Sequence, residues 1–244
     1  MIDRRFDNAR YAVLAEIGSE DGIGTYMERS LHKILKFYLE PDESFHEIKV
    51  NGSIADIKKG DEIIEIQTRS MSRLLPKLEK FLPDHKVTVV YPLDHTKYIR
   101  WIDKKTGETT ERRKSPKSAT VFDSVYELYN IRRFIGDRNL SLKLIFLNVE
   151  EYRYRNEMAF GKRRNKVRAE RIPTSIEYAV DIREPDDYRI FIPNGLADHF
   201  SVADFNRAVG GRFSYGYSAI SILRAAGLVD DGERIGRSIK YKLK

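Results

Sequence analysis

Apolar positions near the start of the chain recur with the period of a helix. Met27, Leu31, Ile34, Leu35 and Tyr38 fall on one face of a helix predicted from about Gly24 to Tyr38, and Pro41 follows its end. The period then drops to two. The segments FHEIKV and SIADI read as short strands joined by Asn51-Gly52, a strong two-residue hairpin signal. EIIEIQ reads as a third strand after a turn at Lys59-Gly60-Asp61, MSRLLPKLEKFL as a helix, and KVTVVYPL as a largely apolar, central strand. The order is an antiparallel meander that turns α/β. Beyond Pro92, YIRWID and ETTERRK read as an exposed hairpin near 94–118. VFDSVYELYNIRRFI then reads as an amphipathic helix and LSLKLIFLNVEEY as another strand.

The next stretch, FGKRRNKVRAERIP, is too charged to pack by its pattern and reads as a connector or basic helix. The last third changes character. SVADFNRAV is a short helix with Ser201 as N-cap. SYGYSAISILRAAG is a second helix, with Ser214 as its cap and Gly227 at its end. LVDDGERIGRSIKYKLK reads as two strands around a Gly-containing, charged loop. Two helices followed by a two-stranded wing resemble a winged helix. The expected domains are 1–150, a basic connector over 151–180, and 181–244.

Composition narrows the chemistry. The 244 residues include no cysteine, which excludes disulfides, zinc ribbons, iron–sulfur clusters and cysteine nucleophiles. No run approaches the roughly 18 apolar residues that cross a bilayer, and no secretory signal is visible, so a cytoplasmic protein with no membrane partner is expected. The net charge of +7 is unevenly spread. Residues 94–118 hold 8 basic against 4 acidic side chains, 151–172 hold 8 against 3, and 212–244 hold 7 against 3. Such zones are either solvated surface or attract polyanions, of which nucleic acid is the commonest in the cytoplasm. The five histidines are scattered and no phosphate-binding glycine motif is present.

The informative stretch is GSIADIKKGDEIIEIQ. A two-residue turn sets Val50 opposite Ser53, and therefore Lys49 opposite Ile54 and Glu47 opposite Asp56. Glu47, Lys49 and Asp56 then share one face of the sheet. On the third strand Ile63, Glu65 and Gln67 share a face. In a continuous meander Asp56 and Glu65 converge, and two converging carboxylates form a hard oxygen site suited to Mg²⁺. Glu28 lies three residues before Leu31 and seven before Leu35, on the apolar face of its helix or its edge. Alone it reads as a boundary residue that reaches water or an arginine. With Asp56 and Glu65 downstream it reads as a third acid.

Glu28 on a helix, Asp56 on a meander and Glu65-Ile66-Gln67 on the next strand resemble the PD-(D/E)XK nuclease superfamily over about residues 22–93. The resemblance implies an α/β fold, a restriction-endonuclease-like mixed sheet flanked by helices, here followed by the winged helix. It also implies that Asp56, Glu65 and the Ile66 carbonyl bind Mg²⁺ (or Mn²⁺), with Glu28 orienting a water or a second ion. Two departures stand out. Ala55 replaces the usual proline, and Gln67 replaces the usual lysine; glutamine can orient water but supplies no charge. Lys49 is a candidate for the relocated cation.

Substrate contacts are expected from Arg112, Arg113 and Lys114 on the hairpin, and from Arg163 and Arg164 on the connector. On the last helix and wing they are Tyr215, Tyr217, Ser218, Arg224 and Arg237, outside the Ile220 and Leu223 core stripe. Tyr152 and Tyr154, among arginines, suit either strand packing or single-strand stacking. The expected activity is metal-dependent hydrolysis of DNA phosphodiesters, with a homodimer suited to double-strand scission. The alternatives are a nuclease fold that binds DNA or an adaptor without cutting, and RNA as the substrate.

Overall fold

The computed structural model of the protein describes residues 3–19, 29–103, 106–154, 168–210, 213–236 and 238–244. It begins with α1 (Arg4–Ser19), which the apolar pattern does not announce. This helix buries Phe6, Ala9 and Val13, a stripe too thin to stand out among its charges. Next comes α2 (Arg29–Leu39), which packs on α1 and buries Leu31, Ile34 and Leu35, the stripe the periodicity predicts. The rings of Phe6 and Tyr38 meet edge to face at 5.7 Å.

The hairpin forms as the sequence predicts. β1 (His46–Val50) and β2 (Ser53–Lys59) are joined at Asn51 and Gly52, with φ of 46° and 72°. Two successive positive φ values make the turn whose twist matches a hairpin, and Asn-Gly is the pair that adopts it most readily. β3 (Glu62–Ile66) pairs antiparallel with β2, Ile57 opposite Ile64. After a 3-10 turn over Met71–Leu74 comes α3 (Leu75–Phe81), which buries Leu78 and Phe81. β4 (Lys86–Ile102) then returns parallel to β3, Glu65 opposite Val89.

β4 is one long strand where the sequence reads as a strand and the first arm of a hairpin. β5 (Arg113–Lys114) completes that hairpin, Tyr98 opposite Lys114. α4 (Val125–Asn130), β6 (Leu140–Tyr154) and β7 (Arg168–Ile182) follow. The mixed sheet of seven strands runs in the order β1-β2-β3-β4-β6-β7, with β5 on the edge of β4. The architecture is α/β with helices flanking the sheet.

β7 corrects one expectation. Residues 168–182 overlap the stretch read as a basic connector, yet they are sheet. Charge does not bar this segment from packing because partners stand on other strands of the sheet. Arg171 pairs with Asp94 of β4, and Glu151 of β6, 2% exposed, accepts from Arg153 at 2.5 Å with Lys97 at 3.4 Å.

The described residues cluster into two compact units. One comprises Met1–His46, Pro92–Ala119 and Ile145–Ala179, the other Glu47–Tyr91, Thr120–Leu144 and Val180–Lys244. In the second unit β8 (His199–Phe200), α5 (Val202–Val209), α6 (Gly216–Ala225), β9 (Glu233–Ile235) and β10 (Ser238–Lys242) form two helices and a three-stranded sheet ordered β8-β10-β9. Ser201 caps α5 reciprocally with Asp204. Ser214 does not cap α6: the N-cap position falls on Tyr215, and Asn206 Oδ1 accepts from the Gly216 amide at 2.8 Å. Gly227, at φ 78°, ends the helix as expected. Among the described residues no helix is long and apolar enough to cross a membrane.

Candidate active site

The β2–β3 register leads straight to an acidic pair. One step beyond Ile57 and Ile64, Asp56 stands opposite Glu65. The two residues clasp each other through backbone and side chain. The Asp56 amide donates to Glu65 Oε1 at 3.3 Å, and the Ile66 amide donates to Asp56 Oδ2 at 2.7 Å. Each carboxylate is thus oriented by the other strand's backbone. The Gln67 amide donates to the Val90 carbonyl at 2.9 Å, tying the end of β3 to the central strand.

Glu65 is 1% exposed, while Asp56 is half-buried. Burial pushes the Glu65 carboxyl up to about 7, and the Asp56 charge adds to the rise. The opposing influence is a cation. Lys77 Nζ lies 2.7 Å from Glu65 Oε2 and is 29% exposed. It comes from α3, which the hairpin tip holds in place. Asn51 Nδ2 donates to the Lys80 carbonyl at 2.9 Å, and Lys80 Nζ donates to Ser53 Oγ at 3.0 Å.

Lys77 is the residue that sequence reasoning missed. Its signal was present: Lys77 stands three residues after Leu74 and four before Phe81, both buried, so it lies beside an apolar stripe. The other candidates fall as follows. Lys49 is exposed on β1. The Gln67 side-chain oxygen accepts from the Arg69 amide at 3.1 Å, which turns it toward its own downstream backbone. Glu28 lies outside the described residues.

A hard divalent cation fits the donors that are present. Asp56 and Glu65 offer carboxylate oxygens from adjacent strands; burial chiefly, and the Asp56 charge after it, raises the Glu65 carboxyl, and a cation would favour its ionised form. Among the described residues no group of three or more His, Asp or Glu side chains is placed to hold a metal. Asp56 and Glu65 are the two carboxylates that would meet a cation there, with its other positions left to water and ligand.

A family model matches residues 29–183, the family being described as "Domain of unknown function (DUF8091)". The chain belongs to the DUF8091 family. The matched span of this DUF8091 member contains Asp56, Glu65, Gln67 and Lys77 and ends before α5 and α6. A protein of Treponema pallidum (strain Nichols), described as "Uncharacterized protein", is 37% identical over 129 residues, which are 52% of this chain and 51% of that protein. The chain spans about half the length of this curated relative. No solved structure matches the chain.

The expected nucleic-acid contacts of this DUF8091 member are spread over several elements. Arg112, Arg113 and Lys114 are exposed at the hairpin, and the Arg112 guanidinium lies 4.6 Å over the Tyr98 ring. On α6 and its cap, Tyr215 and Tyr217 are exposed and Ser218 is half-buried. Arg224 is engaged by Asp231 at 2.5 Å. Arg163, Arg164 and Arg237 lie outside the described residues.

Proposed function

We propose that this protein is a metal-dependent phosphodiester hydrolase of the PD-(D/E)XK kind, acting on DNA, and that residues 181–244 are a winged-helix module that holds the substrate. The observation that carries the reading is the clasp of Asp56 and Glu65 across β2 and β3, with Lys77 against the buried member of the pair. Mg²⁺ or Mn²⁺ is the cofactor of this reading. Bound there, it lowers the pKa of water and neutralises charge on the phosphate.

The chain's own residues do the rest. Asp56 and Glu65 would hold the cation. The Ile66 amide fixes the Asp56 carboxylate by donating to its Oδ2. Lys77 brings a positive charge that Gln67 lacks, close to where negative charge develops on the phosphate. Helices α5 and α6 and the β9–β10 ribbon have the order of a winged helix, with Tyr215, Tyr217 and Ser218 at the start of α6 and Arg234 and Lys240 on the ribbon. Exposed arginines on the 94–118 hairpin add sequence-independent attraction for a phosphate backbone.

A second reading has its own support. Lys77 already pairs with Glu65, and the Gln67 side chain is engaged by the Arg69 amide, an arrangement that suits a nuclease fold which binds or adapts without cutting.

One experiment separates them. The full chain is incubated with plasmid, single-stranded and branched DNA in Mg²⁺, Mn²⁺ or EDTA, beside Asp56→Ala and Glu65→Ala. Cutting that needs metal and disappears in both variants supports the hydrolase. Salt-sensitive binding never followed by cutting supports the second reading. Variants that cut as well as the parent would remove Asp56 and Glu65 from the mechanism.

A further inference from the structure

We propose that a row of tyrosines along the seam between α4 and α6 stacks the unpaired bases of single-stranded DNA. This rests on the nucleic-acid reading above and narrows its substrate to DNA with a single-stranded segment. Among the described residues nine large apolar side chains are exposed, and three of them, Tyr126, Tyr215 and Tyr217, are gathered at this seam. Exposed apolar side chains scattered singly need no explanation; a cluster marks a binding surface.

The rings are held in place before any ligand arrives. Tyr126 meets Tyr215 at 5.3 Å with the planes inclined by 50°, and Tyr129 meets Tyr217 at 6.3 Å with an inclination of 59°. Tilted pairs do not cover each other's faces. Behind Tyr215 stands Phe213 at 5.9 Å, which in turn meets the fully buried Phe205 at 6.4 Å. Behind Tyr129 the Arg132 guanidinium covers the ring at 3.9 Å. A preordered aromatic surface loses little conformational freedom on binding.

Charge decides what lies on this surface. Exposed Arg132 pairs with no carboxylate among the described residues and instead meets the Tyr129 ring and the Tyr129 carbonyl. The Glu127 carboxylate of α4 accepts from the Met71 amide at 2.8 Å and from Asn130 Nδ2 at 3.4 Å. Aromatic rings beside the Arg132 guanidinium suit a polyanion that carries its own rings. Every base has a face to stack, and the arginine meets the backbone.

The test is fluorescence anisotropy of the full chain in EDTA with labelled oligodeoxythymidine, a blunt DNA duplex of equal length, and oligouridine. The expected result is tighter binding to oligodeoxythymidine than to either competitor. Tyr217→Ala and Tyr126→Ala should each weaken it about tenfold, and Tyr217→Phe, which keeps the ring, should stay within about threefold of the parent. Thermal melts verify that each variant is folded. The proposal is overturned if folded alanine variants bind like the parent, if Tyr217→Phe loses as much as Tyr217→Ala, or if duplex or oligouridine binds more tightly. Because metal is absent, tyrosine-dependent binding without cutting elsewhere sinks the hydrolase reading alone. Metal-dependent cutting combined with tyrosine-independent binding sinks the stacking surface alone.

Discussion

Lys77 places its ammonium 2.7 Å from Oε2 of Glu65, a carboxylate almost wholly removed from water. Before any metal is considered, this ion pair determines how the acidic site responds to pH and to mutation. It also offsets only part of the cost of burying Glu65 next to Asp56, since the Glu65 carboxyl still stands at about 7.

The first consequence is a pH dependence of stability. The folded carboxyl titrates near 7 against an ordinary 4.5, so between those values the folded state holds a proton that the unfolded state has released. Stability therefore falls as pH rises through that window and levels off above it, by at most about 3 kcal/mol for such a shift. Glu65→Gln, which cannot ionise, should flatten this fall. Melting temperatures should show the variant gaining on the parent at about pH 8 and not at about pH 5. Equal pH profiles for the two proteins would place the titration elsewhere.

Removing the cation should act in the same window. Lys77→Met leaves Glu65 with no ammonium, and the carboxyl can respond by keeping its proton. The expected cost is small near pH 6 and rises to about 1–3 kcal/mol near pH 8, as for other buried charges that lose a partner. Under the hydrolase reading the same variant should also cut DNA at least tenfold more slowly, because positive charge near the phosphate is lost. Urea melts at the two pH values and initial cutting rates check the two halves separately.

A second carboxylate titrates in the opposite sense. Asp204 accepts from the Ser201 amide at 2.9 Å, the Ser201 hydroxyl at 2.8 Å and Lys240 Nζ at 3.0 Å. The Ser201 bonds, and after them Lys240, hold its carboxyl well below the usual carboxylate range. Its contribution is present above the ordinary value of 3.8 and is lost as the pH falls below it toward the folded-state value. Asp204→Asn should lower the melting temperature by about 2–4 °C per kcal/mol lost at neutral pH, and the gap to the parent should close in acid. Ser201→Ala should cost about 1 kcal/mol through the same cap.

Gly216 provides a steric test. A Cβ there would stand 2.5 Å from Asn206 Oδ1 and 3.1 Å from the Val202 carbonyl oxygen. Helix propensity alone favours Gly216→Ala by up to about 1 kcal/mol. The collision and the loss of the Asn206 bond outweigh that gain, so a net loss of about 1–3 kcal/mol is expected in thermal or urea melts. A stabilised variant would show that the α5–α6 packing gives way easily.

How much of this was legible in the residues depends on the range of the interaction. Asn51-Gly52 selects its turn by local backbone preference, and β3 follows after a short turn at Gly60, so the approach of Asp56 to Glu65 could be derived by counting along strands. The Ser201 cap and the Gly227 stop are likewise decided within one turn of helix. Ser214 failed as a cap because Asn206, ten residues upstream, reaches the Gly216 amide first. Helix α1 escaped notice because its buried stripe is thin, and β7 because its charges look unsatisfied until Asp94 of β4 is beside Arg171.

By itself, then, the sequence determined the hairpin, its register and the meeting of two acids, because strand alternation and turn geometry act between near neighbours. Only the tertiary structure decided that Lys77 covers Glu65, that a highly charged segment becomes a sheet strand, and that tyrosines from α4 and from the start of α6 gather on one surface. Those depend on side chains far apart in the chain arriving at the same place, which is a property of packing that no local period encodes.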